Sequence, residues 1–268
     1  MGFYSFFKIQ ERRKINMLTI KTFLIVCPMV FLAGFVDAIG GGGGLISLPA
    51  YLFAGLPSHT AIACNKLSST CGTAVATAGF IKNKLIDLKL AIPTAAAALL
   101  GAFMGARLSL LADEKILQMV LLPVLCCAAF FVLNRKIFDS ADREEALWGK
   151  KTCMIATIGA LIIGLYDGFY GPGTGTFLII VLHVFARLSV SRANAQAKAI
   201  NLTSNVTSLV VFIMNGQVIW TLGLCAALFN MAGNYLGARL SIRSGSKITR
   251  PIILIVLAIL FVKIIFGL

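Results

Sequence analysis

Apolar runs dominate the chain and return as two similar sets. The first set lies at 22–38, 45–56, 61–81, 88–111 and 116–134; the second lies at 152–169, 175–186, 197–214, 218–241 and 251–267. Most approach the ~20 residues that a helix needs to cross a bilayer. The second run of each set, LISLPAYLFAGL or GTFLIIVLHVFA, is too short. Each of these follows a glycine-rich stretch, GGGGG at 40–44 or GPGTG at 171–175. Helix-breaking sequence at membrane depth is tolerated where protein or a wet cavity satisfies the backbone. The pattern predicts an all-α, polytopic transmembrane protein with about eight full spans and two short re-entrant or broken segments.

The two sets are copies of one another. A shift of 132 residues lays AIACNKLSSTCGTAVATAGFI (61–81) on AKAINLTSNVTSLVVFI (197–213), so that Lys66 falls on Lys198. The same shift superposes the GARLS blocks at 105–109 and 237–241. A shift of 130 pairs Gly34, Asp37, Gly41 and Gly43 with Gly164, Asp167, Gly171 and Gly173. Two homologous halves are expected, 22–134 and 152–268, after a basic segment 1–21 and around a linker at 135–151. The N-terminal stretch resembles a signal peptide, but its apolar run has a counterpart at 152–173, which places it within the fold.

Composition sharpens this picture. The chain has 268 residues, 59% of them hydrophobic and 13% charged, with a mean hydropathy of +0.92; a soluble domain carries about 25% charged residues. The formal charge of +14 sits in short loops, where Lys and Arg set topology. With the N-terminal Lys8, Arg12, Arg13, Lys14 and Lys21 in the cytoplasm, and the short segments dipping back, loop 82–89 and the linker also fall inside. The Asp113–Glu114 turn falls outside, and only loop 242–250, with Arg243, Lys247 and Arg250, breaks the rule. If all ten segments crossed, the basic loops would move outside. An even count of spans per half makes the repeats parallel, an odd count inverted. No basic patch with interleaved aromatics suggests nucleic acid. The seven cysteines show no CxxC spacing, so neither a disulfide frame nor a metal site is expected. There is no Ser/His/Asp order and no HExxH. No enzyme, catalytic residue or cofactor is predicted.

The candidate chemistry lies in the repeated motifs. GGGGGL lacks the following GK[ST] of a nucleotide loop. It reads either as close helix packing or as an unwound stretch whose amides face an anion, which makes Gly41, Gly43, Gly171 and Gly173 candidate binding positions. Asp37 and Asp167 are the acids inside the apolar runs. They read as caps of the glycine loops, as proton-coupling carboxylates, or as counter-ions to Lys66 and Lys198. Those lysines either snorkel to the headgroups or form a buried cationic site. Amides and hydroxyls surround them: Asn65, Ser68, Ser69 and Thr70 near one, and Asn201, Thr203, Ser204 and Asn205 near the other. Lys198, Asn201 and Asn205 share one helix face. A cation beside such donors suits an oxyanion, so Asn65, Lys66, Ser69, Lys198, Asn201 and Asn205 are the expected substrate contacts. Arg107 and Arg239 read as interface anchors, and His59 and His183 as incidental.

These residues, in GFVDAIGGGGGLISLPAYLFAGL, ACNKLSS, GLYDGFYGPGTGTF, AKAINLTSN and the GARLS blocks, closely resemble the TauE/SafE sulfite-exporter (TSUP) family over residues 22–262. Its signatures run D-x-I-x-GGGGL, TNKL, YDGFFGP and AK-x-x-N-x-TSN. Asp37, Gly41–Gly44, Asn65, Lys66, Asp167, Gly171, Pro172, Lys198, Asn201 and Asn205 match that pattern, while Cys64 stands where many members have Thr, which puts a pore contact in doubt. The resemblance implies a duplicated, multi-pass bacterial cytoplasmic-membrane transporter of sulfite, sulfonates or other organosulfur anions. The expected partners are a small anionic substrate and the lipid bilayer, and a homo-oligomer is left open. An anion channel or a non-transporting membrane subunit are the rival readings.

Overall fold

The computed structural model describes residues 19–113 and 149–245, with 116, 247–249, 251, 252 and 255 beyond them. These residues form α1 (Ile20–Gly40), α2 (Gly44–Phe53), α3 (Ser58–Lys82), α4 (Leu88–Leu111), α5 (Lys150–Phe169), α6 (Thr174–Ile180), α7 (Val190–Met214) and α8 (Trp220–Ser244). A π-helical turn, Val181–Phe185, continues α6, and there is no strand among the described residues. The fifth run of each set, most of the 135–151 linker and nearly all of the 1–21 segment lie outside the described residues.

Local chemistry sets the helix limits. Thr19 caps α1 reciprocally with Thr22, and the Asp87 side chain caps α4 by accepting from the Lys89 N–H at 2.8 Å. Gly41 stops α1 in the left-handed conformation, φ 79°, while its N–H donates to the Asp37 carbonyl.

Helices α1, α4, α5 and α7 are long and apolar enough to cross a bilayer. α3 and α8 have 25 residues each, long enough at 1.5 Å per residue, but Asn, Ser and Thr side chains lower their hydropathy. Of the eight full spans expected, four meet both criteria, two are long but polar, and two lie outside the described residues. α2, with ten residues, reaches about 15 Å, half of a bilayer core of about 30 Å.

The broadest helix contacts are α4 on α5 and α8 on α1, followed by α8 on α3 and α4 on α7. Glycine makes the first two possible. Gly101 and Gly105 face the carbonyls of Leu161 and Leu165, while Gly164 and Gly168 face those of Ala98 and Ala102. Gly233 and Gly237 face the Phe31 and Phe35 carbonyls in the same manner. A methyl group at any of these positions would overlap the opposing backbone, so the glycines let helix axes approach closely. The glycines of the two GARLS blocks are thus packing residues.

Polarity is distributed inside out. Leu24, Leu32, Leu100, Phe103, Ile162, Leu228 and Leu236 are exposed, whereas Asp37, Asn65, Lys66, Asp167, Lys198, Asn201 and Asn205 are buried. Water would favour the reverse. An apolar surrounding outside and a polar centre within accounts for both.

Candidate functional site: a buried double ion pair

Lys66 on α3 is 2% exposed and Lys198 on α7 is 0% exposed. Neither snorkels. Lys66 Nζ lies 2.7 Å from Asp167 Oδ2, and Lys198 Nζ lies 2.8 Å from Asp37 Oδ2. Each pair therefore joins the lysine of one set of segments to the aspartate of the other. A buried charge is tolerated when it is paired and hydrogen-bonded, and the crossed pairing provides this for all four groups.

Helix ends bring them together. Asp37 and Asp167 sit in the last turns of α1 and α5, where the glycine stretches begin. The Gly41 backbone, at φ 79°, packs directly on that of Gly175. Thr176 Oγ1 donates to the Gly40 carbonyl at 2.7 Å, and Tyr166 Oη to the Pro172 carbonyl at 2.7 Å. The two glycine stretches thus form one unit at the centre of the helices.

The two carboxylates are held unequally. Asp167 Oδ2 also accepts from Ser204 Oγ at 2.6 Å, and its Oδ1 lies 2.8 Å from Thr174 Oγ1, whose single proton it shares with the Gly171 carbonyl at 2.6 Å. Asp37 Oδ1 accepts from the Gly43 N–H at 3.4 Å, its one donor among the described residues. The lysines differ too. Lys66 donates a further bond to Asn205 Oδ1 at 3.0 Å, whereas Asp37 is the partner found for Lys198 among the described residues. Counter-ion and loop-capping readings of the aspartates are both realised in the geometry.

Between the pairs lies a cavity of about 20 Å³, lined by Asp37, Gly41, Gly44, Asn65, Lys66, Ser69, Asp167, Gly171, Gly173, Thr174, Gly175, Asn201 and Asn205. This is room for about one water. Asn65 Oδ1 accepts from Ser47 Oγ at 2.6 Å, and Asn201 Oδ1 from Asn205 Nδ2 at 3.3 Å. These bonds fix both carboxamides with their NH₂ groups still available as donors. Ten of the twelve expected site residues line the space. Gly43 does not: it has helical φ, and a Cβ there would meet the Ala33 carbonyl and Asp37 Cβ at 2.6 Å each. Lys198 does not either, because Asp37 stands in front of its ammonium.

Other expectations need correction. Cys64 Sγ lies 3.4 Å from the Ile219 N–H, on the side of α8 and away from the cavity, so its substitution for Thr alters no lining contact. His183 is buried, with Nδ1 2.7 Å from the Leu188 carbonyl, tying off the π-helical turn. His59 Nε2 lies 2.9 Å from the Ser109 carbonyl. Both histidines are structural and not incidental. Arg107 stacks over the Phe103 ring at 5.1 Å, remote from the charged centre. Thr174 and Ser47 are not among the residues expected from the sequence, and Ser204 is expected only as a hydroxyl near Lys198. Its bond to Asp167 spans 37 positions, and no local pattern marks such a contact.

The sequence model of the family described as Sulfite exporter TauE/SafE matches residues 26–264. Similar curated proteins include the "Probable membrane transporter protein YfcA" of Escherichia coli K12. It is 34% identical over 240 residues, 89% of this chain and 88% of that one. A protein of Sinorhizobium sp., "Probable membrane transporter protein ORF9", is 34% identical over 84% of this chain and 85% of its own. One of Haemophilus influenzae, "Probable membrane transporter protein", is 30% identical over 88% and 92%. No solved structure matches. The matched span runs through both sets of segments and holds all four charged residues of the centre, and the chain belongs to the TauE/SafE family of membrane transporters.

Proposed function

We propose that the chain is a secondary transporter of small oxyanions, with sulfite, sulfonates or other organosulfur anions as substrates. The observation that carries this reading is a pair of ammonium groups buried in an apolar helical body beside a cavity walled by amide and hydroxyl donors. Charged groups in that setting mark substrate or ion pathways. Asn65, Ser69, Asn201 and Asn205 would supply donors, Lys66 and Lys198 the positive field, and the backbones of Gly41, Gly171 and Gly173 the close approach. Asp37 and Asp167 balance the lysines, and one or both of them couple transport to the driving ion.

On this reading the chain is built of two transmembrane repeats, 22–134 and 152–268. They bring eight full spans and two short segments into a bacterial cytoplasmic membrane. The centre holds two cations and two carboxylates, so an entering anion must be balanced. In a cell with a negative interior, expelling a monoanion that moves alone is downhill by about 2.3 kcal/mol per 100 mV, and a proton moving with it removes that electrical bias. The water-sized cavity favours a carrier over an open channel.

Flux of labelled sulfite and sulfonates into vesicles holding the purified protein tests this. The expected result is saturable, gradient-driven anion flux. Non-saturating flux would identify a channel, and no flux of any anion a non-transporting subunit.

A further inference from the structure

We propose that Asp37, and not Asp167, carries the coupling proton, and that one proton and one monovalent anion enter the site together. This rests on the anion-transport reading above and assigns its stoichiometry and its proton carrier.

The asymmetry of the two pairs carries the inference. Asp167 accepts from Lys66, Ser204 and Thr174 at 2.6–2.8 Å, and its side chain is 3% exposed. Protonating it would weaken the short bonds from Lys66 and Ser204, and Asn205 would be the remaining acceptor for Lys66 among the described residues. Asp37 has one short donor, Lys198, and a long contact to the Gly43 N–H, and its side chain is 12% exposed. Its Oδ1 can take a proton without losing a short bond, and it lines the cavity from which the proton would arrive. Hydrogen bonds to the ionised form oppose protonation, so the less-bonded carboxylate is the one that takes the proton.

Charge counting supplies the anion. The charged groups facing Asp37 are Lys198 from α7 and, across the cavity, Lys66 from α3 and Asp167 from α5. With both acids ionised the centre is neutral, and a monoanion in this buried space would be uncompensated. Protonation of Asp37 leaves Lys198 without a counter-charge. The anion then restores neutrality, accepting from Asn65, Asn201 and the new carboxyl O–H. The proton goes to Asp37 on loading and leaves with the anion on release, and no bond other than O–H changes.

The test is methanesulfonate binding to the purified full-length protein, because this probe stays a monoanion across the pH range. In the wild type, affinity should fall as the pH rises, by up to about tenfold per pH unit, with one proton taken up per anion bound in weakly buffered solution. Asp37→Asn should bind with pH-independent affinity and no proton uptake, and Asp167→Asn should keep the pH slope. Wild-type binding without proton uptake, or a slope that survives in Asp37→Asn, would overturn the proposal and leave anion transport standing. No binding of methanesulfonate, sulfite or any other sulfonate by the wild type would overturn both. Should Asp37→Asn fail to fold, Asp37→Glu, which can still carry a proton, must retain proton uptake, and its loss would count against the idea.

Discussion

Gly41 and Gly175 pack backbone against backbone: a Cβ built on Gly175 would lie 2.5 Å from Gly41 Cα. This contact locks the first glycine stretch to the start of α6 and sets the spacing of the two carboxylates that flank the cavity. Neither partner can carry a side chain.

Three alanine substitutions separate the causes. Gly55→Ala meets nothing within 4 Å but has φ +86°, so it suffers only left-handed strain, about 1–2 kcal/mol. Gly175→Ala meets Gly41 without that strain, and Gly41→Ala suffers both. Unfolding midpoints in detergent should rank Gly55→Ala above Gly175→Ala, and Gly41→Ala lowest. A Gly175→Ala protein as stable as the wild type would disprove the contact.

Gly43→Val should disturb transport through Asp37. Its new side chain would push on Asp37 Cβ and on the Ala33 carbonyl, displacing the acid from Lys198. Gly173→Val should also be harmful, because φ +82° is left-handed. Anion flux of both variants in vesicles is the measurement, with an unchanged rate in either counting against its role.

Removing one partner of a buried ion pair leaves the other charge uncompensated, at about 3–5 kcal/mol. Lys66→Ala and Lys198→Ala should still insert but lose anion flux and melt at lower temperature. The double variant Lys198→Met/Asp37→Asn should recover stability without recovering flux. Wild-type flux in both single variants would separate the charged centre from transport altogether.

Asn65→Ala and Asn201→Ala each remove one NH₂ donor at the cavity wall. Each should raise the half-saturating anion concentration about tenfold, as expected for one hydrogen bond to a charged acceptor. An unchanged concentration dependence in both would show that the anion does not reach these carboxamides.

Much of this was legible in the sequence, and for an identifiable reason. Helical runs, glycine breaks and the repeated Asp and Lys are local features, and a repeat displays each of them twice. α4 matches its apolar run at 88–111 residue for residue, and the Asp87 side chain caps its first turn. The polar helices α3 and α8 were harder to weigh. Their Asn, Ser and Thr residues lower hydropathy whether they face lipid or the protein interior, and only packing shows that most face inward.

The repeat also suggested equivalence, and tertiary structure decided against it. By sequence Lys66 and Lys198 are counterparts, yet Lys66 lines the cavity and Lys198 stands behind Asp37. The sequence alone determined the membrane class, the helices and the identity of the four charges, because these follow from composition and spacing along the chain. Which lysine meets which aspartate was decided only by the fold. Lys66 and Asp167 are 101 positions apart, and Lys198 and Asp37 are 161 apart. No local pattern encodes a contact across such distances. It comes from glycine-paved helix faces that bring α4 onto α5 and α8 onto α1, closing the two sets of helices around a centre that must neutralise itself.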